Sequence, residues 1–322
     1  MDWQAKIIKN HSENAFQDLA FEVFRYQLEH CEVYADYVSA ISRENPSSLS
    51  EIPFLPISFF KNKYVCSNEK SEIQTVFKSS GTQGIRSSHY VADLGLYGAS
   101  FEWTYRKFIG NPENQIILAL LPNYLEQGDS SLVYMVDRLI NMTDNVRSQF
   151  ILDDISRIKE VLIESKRLGK DIVIFGVAYS LLDLCDHGID LNGIKVIETG
   201  GMKGKRKELS KEDLHLKLST ELRPEKLYSE YGMTELMSQA YSNEKLQFEC
   251  PPWMRVLIRD IYDPFSYLGE NKRGGINVID LANVYSCSFI ATDDTGISQR
   301  GKFELKGRIE KSDLRGCNLL VE

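Results

Sequence analysis

The sequence lacks the cysteine and histidine groupings that disulfide frameworks and zinc sites require. None of its six cysteines forms a C-x-x-C pair, and its five histidines are scattered along the chain. The cysteines are Cys31, Cys66, Cys185, Cys250, Cys287 and Cys317. Isolated cysteines of this kind are usually small buried hydrophobic residues. We therefore expect neither a disulfide framework nor a zinc site.

The sequence also lacks long apolar runs and an excess of positive charge. The first residues, "MDWQAKIIKNHSE", contain no apolar core of signal-peptide length, and no window approaches the length of a membrane span. The net charge is −8, which disfavours broad attraction to nucleic acid or to an anionic membrane. We expect a cytoplasmic protein that acts on small molecules.

What the sequence does contain is a regular alternation of predicted helices and strands. Of its 322 residues 43% are hydrophobic, enough for a large core. Apolar spacing of three and four predicts one long helix over 14–39, and three prolines then predict an extended crossover with a short helix at 57–61. Further helices are predicted at 93–110, 131–142, 153–168, 178–188 and 211–222, and strands at 73–78, 114–122, 171–176, 194–200 and 226–232. This βα alternation predicts an α/β fold with a mostly parallel sheet over residues 1–251.

Beyond Pro252 the pattern changes to short strands separated by Gly and Asp turns. The segments "WMRVLIRD", "GGINVID", "YSCSFIATDD" and "GKFELKG" alternate in this way. We expect residues 252–322 to form a smaller antiparallel β lobe that completes a ligand site.

The first of four candidate ligand loops is "SSGTQG", residues 79–84, directly after a predicted strand. Ligands of open α/β sheets bind at the carboxyl ends of strands, where such loops lie. Glycine allows close approach of the backbone, successive N–H groups can bind an anion, and Ser79, Ser80 and Thr82 add hydroxyl donors. No G-K-S/T follows, so this is not a Walker loop. The segment predicts either a phosphate-binding loop or a plain surface turn.

The second loop is "ETGGMKGK", which follows the predicted strand at 194–200. Its glycine pair, Gly200 and Gly201, would let a flat base lie against the backbone. The alternative is a mobile turn with no ligand.

The third loop is "SEYGMTELMS". Tyr231 supplies an aromatic face, Thr234 a hydroxyl, and Glu235 a hard oxygen ligand for Mg²⁺. The alternative is a helix start, with Thr234 as its N-cap and Tyr231 in the core.

The fourth candidate joins "ATDDTG" to "LKGRIEKSDLRGC". Asp293 or Asp294 could bind sugar hydroxyls, and Arg308 could act as a charged donor. Asp-rich turns between strands are common, so this segment alone does not distinguish a site from a turn.

Taken in this order, the four loops resemble those of the adenylate-forming enzymes. Within that superfamily the sequence is similar to the acyl-protein synthetases of bacterial bioluminescence, the LuxE family, and to their relatives the phenylacetate–CoA ligases. The resemblance covers nearly the whole chain and is carried by "IPFLPISFFK", "SSGTQG", "LPNYLEQGDSSLVYMVDRLI", "TGGMKG", "YGMTEL" and "GRIEKSDLRGC". It implies the large N-terminal domain of the adenylate-forming fold.

The resemblance also implies which residues bind ATP. The Ser-Gly loop would wrap the phosphates, the glycine pair and Tyr231 would hold the adenine, and Thr234 and Glu235 would serve phosphate and Mg²⁺. The residues expected to bind ATP are Ser79, Ser80, Gly81, Thr82, Gly84, Gly200, Gly201, Tyr231, Gly232, Asp294 and Arg308. The expected catalytic residues are Thr82, Thr234, Glu235 and Cys317, with Glu235 as the metal ligand.

The reaction so implied needs no general base. A substrate carboxylate attacks the α-phosphorus of ATP and releases pyrophosphate, so the main task is to position and neutralise the phosphates. We accordingly interpret His89 and His187 as structural residues.

The sequence departs from the acid–CoA ligases at its end. Those enzymes continue into a small lid domain with a lysine that contacts the phosphates, whereas this sequence stops at Glu322, as LuxE-type proteins do. We expect the lid to be absent, with Lys203, Lys205 and Lys302 as alternative cations. In the LuxE family the acyl group passes to a cysteine near the C-terminus, and Cys317 is the candidate here. The alternative is that Cys317 packs in a last strand.

An acyl pocket is expected from the segments after two parallel strands. Its candidate lining residues are Tyr124, Ser130, Ser131, Tyr134, Val177 and Tyr179. The best interpretation is a LuxE-like ligase that activates a carboxylic acid, which we expect to be a fatty acid, and delivers it to a protein thiol on itself, a partner reductase or a carrier protein. The alternatives are an acid–CoA ligase of phenylacetate type and a partner protein that binds nucleotide or acyl groups without catalysis.

Overall fold

The computed structural model describes residues 2–9, 12–79, 85–121, 128–151, 155–167, 169–200, 209–242 and 245–309. The helices in this part of the chain are α1 (Trp3–Lys9), α2 (Glu13–His30), α3 (Glu32–Ala40), α4 (Phe59–Asn62), α5 (Leu94–Phe108), α6 (Ser131–Met142), α7 (Ile155–Lys166), α8 (Ala178–Asp186) and α9 (Lys211–Leu222). The strands are β1 (Leu55–Pro56), β2 (Thr75–Lys78), β3 (Ser88–Val91), β4 (Gln115–Leu120), β5 (Gln149–Phe150), β6 (Asp171–Val177), β7 (Ile194–Thr199), β8 (Lys226–Tyr231), β9 (Ala240–Ser242), β10 (Phe248–Glu249), β11 (Met254–Arg259), β12 (Gly274–Asp280), β13 (Phe289–Gln299) and β14 (Lys302–Arg308). The predicted α/β class is confirmed.

The prediction of one helix over 14–39 is wrong, because the segment forms α2 and α3 with a break at Cys31. Cys31 has an extended backbone, with φ −105° and ψ 93°, and its N–H donates to the Gln27 carbonyl at 2.9 Å. Both helices bury apolar residues, among them Phe24 and Tyr34. Apolar spacing therefore continues through the break and does not reveal it.

Contacts between residues divide the chain into two compact units. The first unit contains Met1–Ser100, Thr234–Ser238 and Glu249–Glu322, and the second contains Phe101–Met233 and Gln239–Phe248. The predicted boundary at residue 251, between an α/β core and a β-rich lobe, stays a prediction.

The sheet of the first unit is antiparallel along β11, β12, β13 and β14, and β1 pairs in parallel with β13. The buried Arg259 guanidinium holds these strands together, because it donates to the carbonyls of Ile276 at 2.8 Å and Thr292 at 2.7 Å. β2 and β3 form a separate hairpin.

The sheet of the second unit is parallel along β5, β4, β6, β7 and β8, and β9 pairs antiparallel with β8. The strands read as near-continuous apolar runs because helices cover them; all six residues of β4, "QIILAL", are buried. Apolar residues of α7, α8 and α9 join those of β4, β6 and β7 in one core. Parallel order brings the carboxyl ends of β4, β6, β7 and β8 to one edge, where several of the predicted site residues lie.

No helix in the described ranges is both long and apolar enough to cross a membrane. The described cysteines are all free thiols, namely Cys31, Cys66, Cys185, Cys250 and Cys287.

Candidate active site

The predicted phosphate loop connects β2 to β3, and two serines close its base. The Ser79 N–H donates to the Ser87 carbonyl at 3.1 Å, and the Ser87 N–H donates to Ser79 Oγ at 2.9 Å. Arg86 folds back and donates to the Lys78 carbonyl at 3.3 Å. The ends of the loop are therefore fixed by hydrogen bonds. The predicted residues Ser80, Gly81, Thr82 and Gly84 lie outside the described residues.

Glu235 of the third loop lies against this base. Its side chain is 5% exposed and lies beside the hydroxyl of the buried Ser87. Burial raises the pKa of Glu235, while the Ser87 hydroxyl and the positive charges of Arg308 and Lys61 act in the opposite direction. The structure therefore brings the base of the first predicted loop and the acidic residue of the third together within the first unit.

Thr234 and Glu235 form a turn, and no helix begins here, so the alternative of a helix N-cap at Thr234 is wrong. The turn is fixed by side chains that bind its carbonyl groups. His89 Nδ1 lies 2.7 Å from the Thr234 carbonyl oxygen, and Asn283 Nδ2 donates to the Glu235 carbonyl at 2.7 Å. Carbonyls held by side chains from elsewhere are not available to the i→i+4 bonds of a helix.

The same His89 and Asn283 also contact each other. His89 Nε2 lies 2.9 Å from Asn283 Oδ1, and Asn283 Nδ2 makes a second bond to the Cys287 carbonyl at 2.9 Å. Burial lowers the pKa of His89 to about 4, while its two acceptors act in the opposite direction. The neutral imidazole has one N–H to share between these two oxygens, and it packs with the amide as one buried pair behind the turn.

The residues that follow Glu235 are held by Asp280 at the end of β12. The buried carboxylate accepts hydrogen bonds from the N–H groups of Met237 at 2.8 Å and Ser238 at 2.9 Å, and from the Ser238 hydroxyl at 2.6 Å. Burial raises the pKa of Asp280 to about 6, although these donors lower it. The backbone on the far side of the turn is therefore fixed as well.

Asp294 and Arg308 of the fourth loop face each other across β13 and β14. They are paired in register, and Arg308 Nε lies 3.4 Å from Asp294 Oδ1. The Arg308 side chain is 80% exposed, so most of its donors face solvent. Asp293 is exposed and its carbonyl accepts from the Ile309 N–H at 2.8 Å. Of the two aspartates, Asp294 is the one paired with Arg308.

In the second unit, the predicted adenine residues follow β7 and β8. Gly200 has φ +70°, which favours glycine, and it is exposed directly after β7. Tyr231 is buried at the end of β8 and packs edge-on against Phe248, with ring centroids 6.1 Å apart. A Cβ on Gly232 would lie 2.2 Å from Glu230 Oε1, so a side chain there would require the Glu230 carboxylate to move. Gly201 lies outside the described residues.

Beside Gly200 and Gly232 the second unit contains a buried acidic cluster that the sequence analysis missed. Glu230 accepts from the Thr199 hydroxyl at 2.5 Å, and burial, reinforced by the charge of Glu198, raises its pKa to about 7. Glu198 binds Lys211 Nζ at 2.5 Å and accepts from the Ser229 hydroxyl at 2.7 Å. These carboxylates lie at the carboxyl ends of β7 and β8.

The predicted acyl residues that are described lie at the starts of α6 and α8. Ser130 is the N-cap of α6, where its Oγ accepts from the Val133 N–H at 3.4 Å. Ser131, Val177 and Tyr179 are buried, and Tyr134 is half-buried. Tyr124 lies outside the described residues.

The candidate acceptor and cations are described only in part. Cys317, Lys203 and Lys205 lie outside the described residues, while Lys302 Nζ binds Glu249 at 2.5 Å. Among the described thiols, Cys250 is half-buried, and burial raises its pKa to about 12.

Three residues that hold the third loop were not predicted as part of the site. His89 was interpreted as structural, and Asp280 and Asn283 were not singled out at all. A pattern in the sequence points to two of them: the strand "GGINVID" continues directly into "LAN", which places Asp280 at the end of a buried strand and Asn283 in the short 3-10 turn that follows. Polar residues in that position need partners.

Comparison with solved structures gives the class of the fold. One structure is a 2-hydroxyisobutyryl-CoA ligase in complex with 2-HIB-AMP, with TM-score 0.67 and 13% identity, covering 92% of this chain and 68% of that one. Another is ATP-bound MatB from Rhodopseudomonas palustris, with TM-score 0.55 and 16% identity, covering 75% of this chain. The chain spans about half of the length of MatB, 49%. The fold is that of the adenylate-forming ligases.

Comparison with curated sequences gives the family. The long-chain-fatty-acid–luciferin-component ligases of Aliivibrio fischeri and Vibrio harveyi are each 24% identical over 305 residues, covering 87% and 84% of this chain and 78% and 77% of those proteins. The corresponding ligase of Photorhabdus luminescens is 32% identical over 79 residues, 24% of this chain and 68% of that sequence. No protein-family model matches the chain. The chain belongs to the LuxE family of acyl-activating ligases, so the predicted resemblance is confirmed.

Proposed function

We propose that the protein uses ATP to convert a fatty acid into an acyl-adenylate and then transfers the acyl group to a protein thiol. The relatives act, by their names, on long-chain fatty acids. The observation that carries the proposal for this chain is that the Glu235 carboxyl lies beside Ser87 at the base of the Ser-Gly loop, on a turn whose Thr234 carbonyl lies 2.7 Å from His89 of β3. This junction places hydroxyl and N–H donors suited to phosphate oxygens next to a carboxylate suited to a divalent cation.

The phosphates and their Mg²⁺ are assigned to this junction. Mg²⁺ is commonly held by one or two carboxylates together with substrate phosphates, and Glu235 provides one such carboxylate. A cation would also offset the burial that raises the pKa of Glu235. When bound, Mg²⁺ would neutralise charge that develops on the phosphate oxygens. Thr234 would direct its hydroxyl to the same oxygens, and the Ser79–Gly84 loop, including Thr82, would enclose them.

The nucleoside is assigned to the remaining predicted residues. Asp294, which is 18% exposed and paired with Arg308, would accept hydrogen bonds from the ribose hydroxyls. Gly200, Gly201, Tyr231 and Gly232 would bind the adenine. Tyr231 is buried against Phe248, so its ring would contact the base by its edge, or by its face once the side chain rotates.

The chemistry then follows in two steps. The fatty-acid carboxylate attacks the α-phosphorus, and the bond to the β-phosphate breaks, releasing pyrophosphate. A thiolate next attacks the acyl carbon and AMP leaves. The protein residues act by holding the phosphates in line, without a general base for the first step. Cys317 is the proposed acceptor or relay, with a partner reductase or carrier protein as the next acceptor. Tyr124, Ser130, Ser131, Tyr134, Val177 and Tyr179 are the proposed acyl-pocket residues.

ATP–pyrophosphate exchange across fatty acids of increasing chain length tests the first step. Exchange that depends on a fatty acid supports the proposal. Binding of ATP without exchange for any acid would contradict it and favour a binding partner without catalysis.

Glu235→Gln tests the site assignment. Loss of one charge-assisted contact to the metal or phosphate costs roughly 1.5–3 kcal/mol, so exchange should fall about ten- to hundredfold. Glu51→Gln is the control, since Glu51 is another glutamate beside a serine hydroxyl, that of Ser47 at 2.7 Å, but on a different turn of the first unit. Equal exchange in both variants would remove Glu235 from the site.

Cys317→Ser tests the second step with radiolabelled fatty acid. The variant should keep acid-dependent exchange and lose covalent labelling of the protein, whereas Cys250→Ser should keep both. Label transferred to CoA in the absence of a protein acceptor would favour the acid–CoA ligase. Labelling that persists in Cys317→Ser would assign the thiol elsewhere.

A further inference from the structure

His89 and Asn283 are placed to control the position of the Thr234–Glu235 turn. Each binds one of the two consecutive carbonyl groups of that turn, His89 at 2.7 Å and Asn283 at 2.7 Å. The two side chains also contact each other at 2.9 Å, so the carbonyls are linked through a single buried pair. Both side chains are about 1% exposed, so water does not compete for these bonds.

His89 connects the turn to a second predicted loop. It lies on β3, two residues after Ser87, and its register partner Phe77 lies on β2. Ser87 closes the base of the Ser-Gly loop, and its hydroxyl lies beside the Glu235 carboxyl. A shift of β3 would therefore move the Ser87 hydroxyl and the Thr234 carbonyl together.

The orientation of Asn283 is determined by its neighbours. Its Nδ2 group donates to two carbonyls, those of Glu235 and Cys287, so Oδ1 is the atom that faces His89. On its other side the 283–288 segment is held by Gln27, whose amide donates to the carbonyls of Asn283 at 3.1 Å and Val284 at 2.9 Å. The backbone of Asn283 is thus held on the side opposite the turn.

We propose that His89 and Asn283 are positioning residues that fix the Thr234–Glu235 turn so that the Glu235 carboxylate and the Thr234 hydroxyl face the same ligand. The inference rests on the proposed function for the identity of that ligand, Mg²⁺ with ATP. The effect of the two residues is to restrict the backbone of the turn, because each of them binds one of its two carbonyl groups.

Two variants of His89 separate its ring packing from its hydrogen bonds. His89→Phe keeps a ring against Phe60, whose centroid lies 6.0 Å away, but removes both polar contacts. His89→Gln retains an amide that can donate to the Thr234 carbonyl. Tyr34→Phe is the matched control, because it keeps the ring and removes one buried hydrogen bond, to the Pro53 carbonyl at 2.6 Å, which lies outside both the turn and the 283–288 segment.

The first measurement is hydrogen exchange of residues 234–238 in the protein without nucleotide. Loss of one buried hydrogen bond is worth about a factor of ten, so His89→Phe should exchange this segment about tenfold faster. Tyr34→Phe should leave it unchanged. The second measurement is ATP affinity by calorimetry, where His89→Phe should weaken binding about tenfold with Mg²⁺ and little with EDTA.

The outcomes separate this inference from the proposed function. His89→Gln should lie between wild type and His89→Phe in both measurements, and it carries the test if His89→Phe does not fold. Exchange at 234–238 equal to that of wild type in both His89 variants would overturn the inference. If the wild-type protein shows no acid-dependent pyrophosphate exchange, the proposed function fails, while the hydrogen-exchange result still decides whether His89 and Asn283 fix the turn.

Discussion

The two halves of the segment "SEYGMTELMS" are held by different kinds of interaction. Residues 229–231 belong to the second unit and lie in β8, where backbone bonds pair them with β7 and β9. Residues 234–238 belong to the first unit, form neither strand nor helix, and are fixed by side chains distant in sequence. The first half is held as any strand is held. The second half has a particular shape because particular polar side chains bind it.

The largest expected effect is that of Asp280→Ala, which removes the acceptor for the 237–238 backbone. Each buried donor left without a partner costs about 1–3 kcal/mol, and several are left at once, so we expect a loss of at least about 3 kcal/mol in the free energy of unfolding. Urea unfolding measures it. Asp263→Ala is the control, because the exposed Asp263 also accepts from the backbone, at Phe265, and from a serine, Ser266. Equal losses of stability in the two variants would mean that burial does not increase the contribution of Asp280 over that of Asp263.

The second prediction concerns Glu230, in the half that is held by strand pairing. Burial raises its folded-state pKa from 4.5 to about 7. The folded state then holds the proton where the unfolded chain has released it, so stability decreases as the pH rises from 4.5 to 7. The wild-type advantage over Glu230→Gln should fall by about 3 kcal/mol across this window.

Urea unfolding of both proteins at pH 4.5 and pH 7.5 gives this difference, in which the contribution of Asp280 cancels. Glu225→Gln, at an exposed position just before β8, should change stability by less than about 0.5 kcal/mol at either pH. A constant difference between wild type and Glu230→Gln would show that Glu230 ionises as it does in the unfolded chain.

The same comparison explains how much could be predicted from the sequence. The βα alternation, the parallel sheet and the apolar strand "QIILAL" follow from local periodicity, and they are found in the structure. The break at Cys31 was missed because apolar spacing continues through it. The link between His89, Asn283 and the Thr234–Glu235 turn joins residues 145 and 48 positions apart, so no local pattern contains it.

The third prediction is that Gly232→Ala destabilises the protein where the two halves meet in sequence. A Cβ at Gly232 would lie 2.2 Å from Glu230 Oε1, and overpacking of this kind costs about 1–3 kcal/mol. Gly98→Ala is a control of opposite sign, because Gly98 lies within α5 with no atom near its missing Cβ, so alanine should stabilise by about 0.5–1 kcal/mol. Thermal unfolding compares them. A neutral Gly232→Ala would mean that Glu230 moves aside without cost.

The smallest expected effect on stability is that of Thr234→Ala. The turn is held by the carbonyl of Thr234, which bonds to His89 and is unchanged by the substitution, so unfolding should shift by less than about 0.5 kcal/mol. Pyrophosphate exchange should nevertheless fall about tenfold, because a hydroxyl contact to phosphate is lost, and Thr234→Ser should restore it. The opposite result, lower stability with unchanged exchange, would mean that the hydroxyl supports the fold. Residues 234–238 would then differ from residues 229–231 only in being held by side chains from distant segments. The conformation of the turn would have no connection to a ligand.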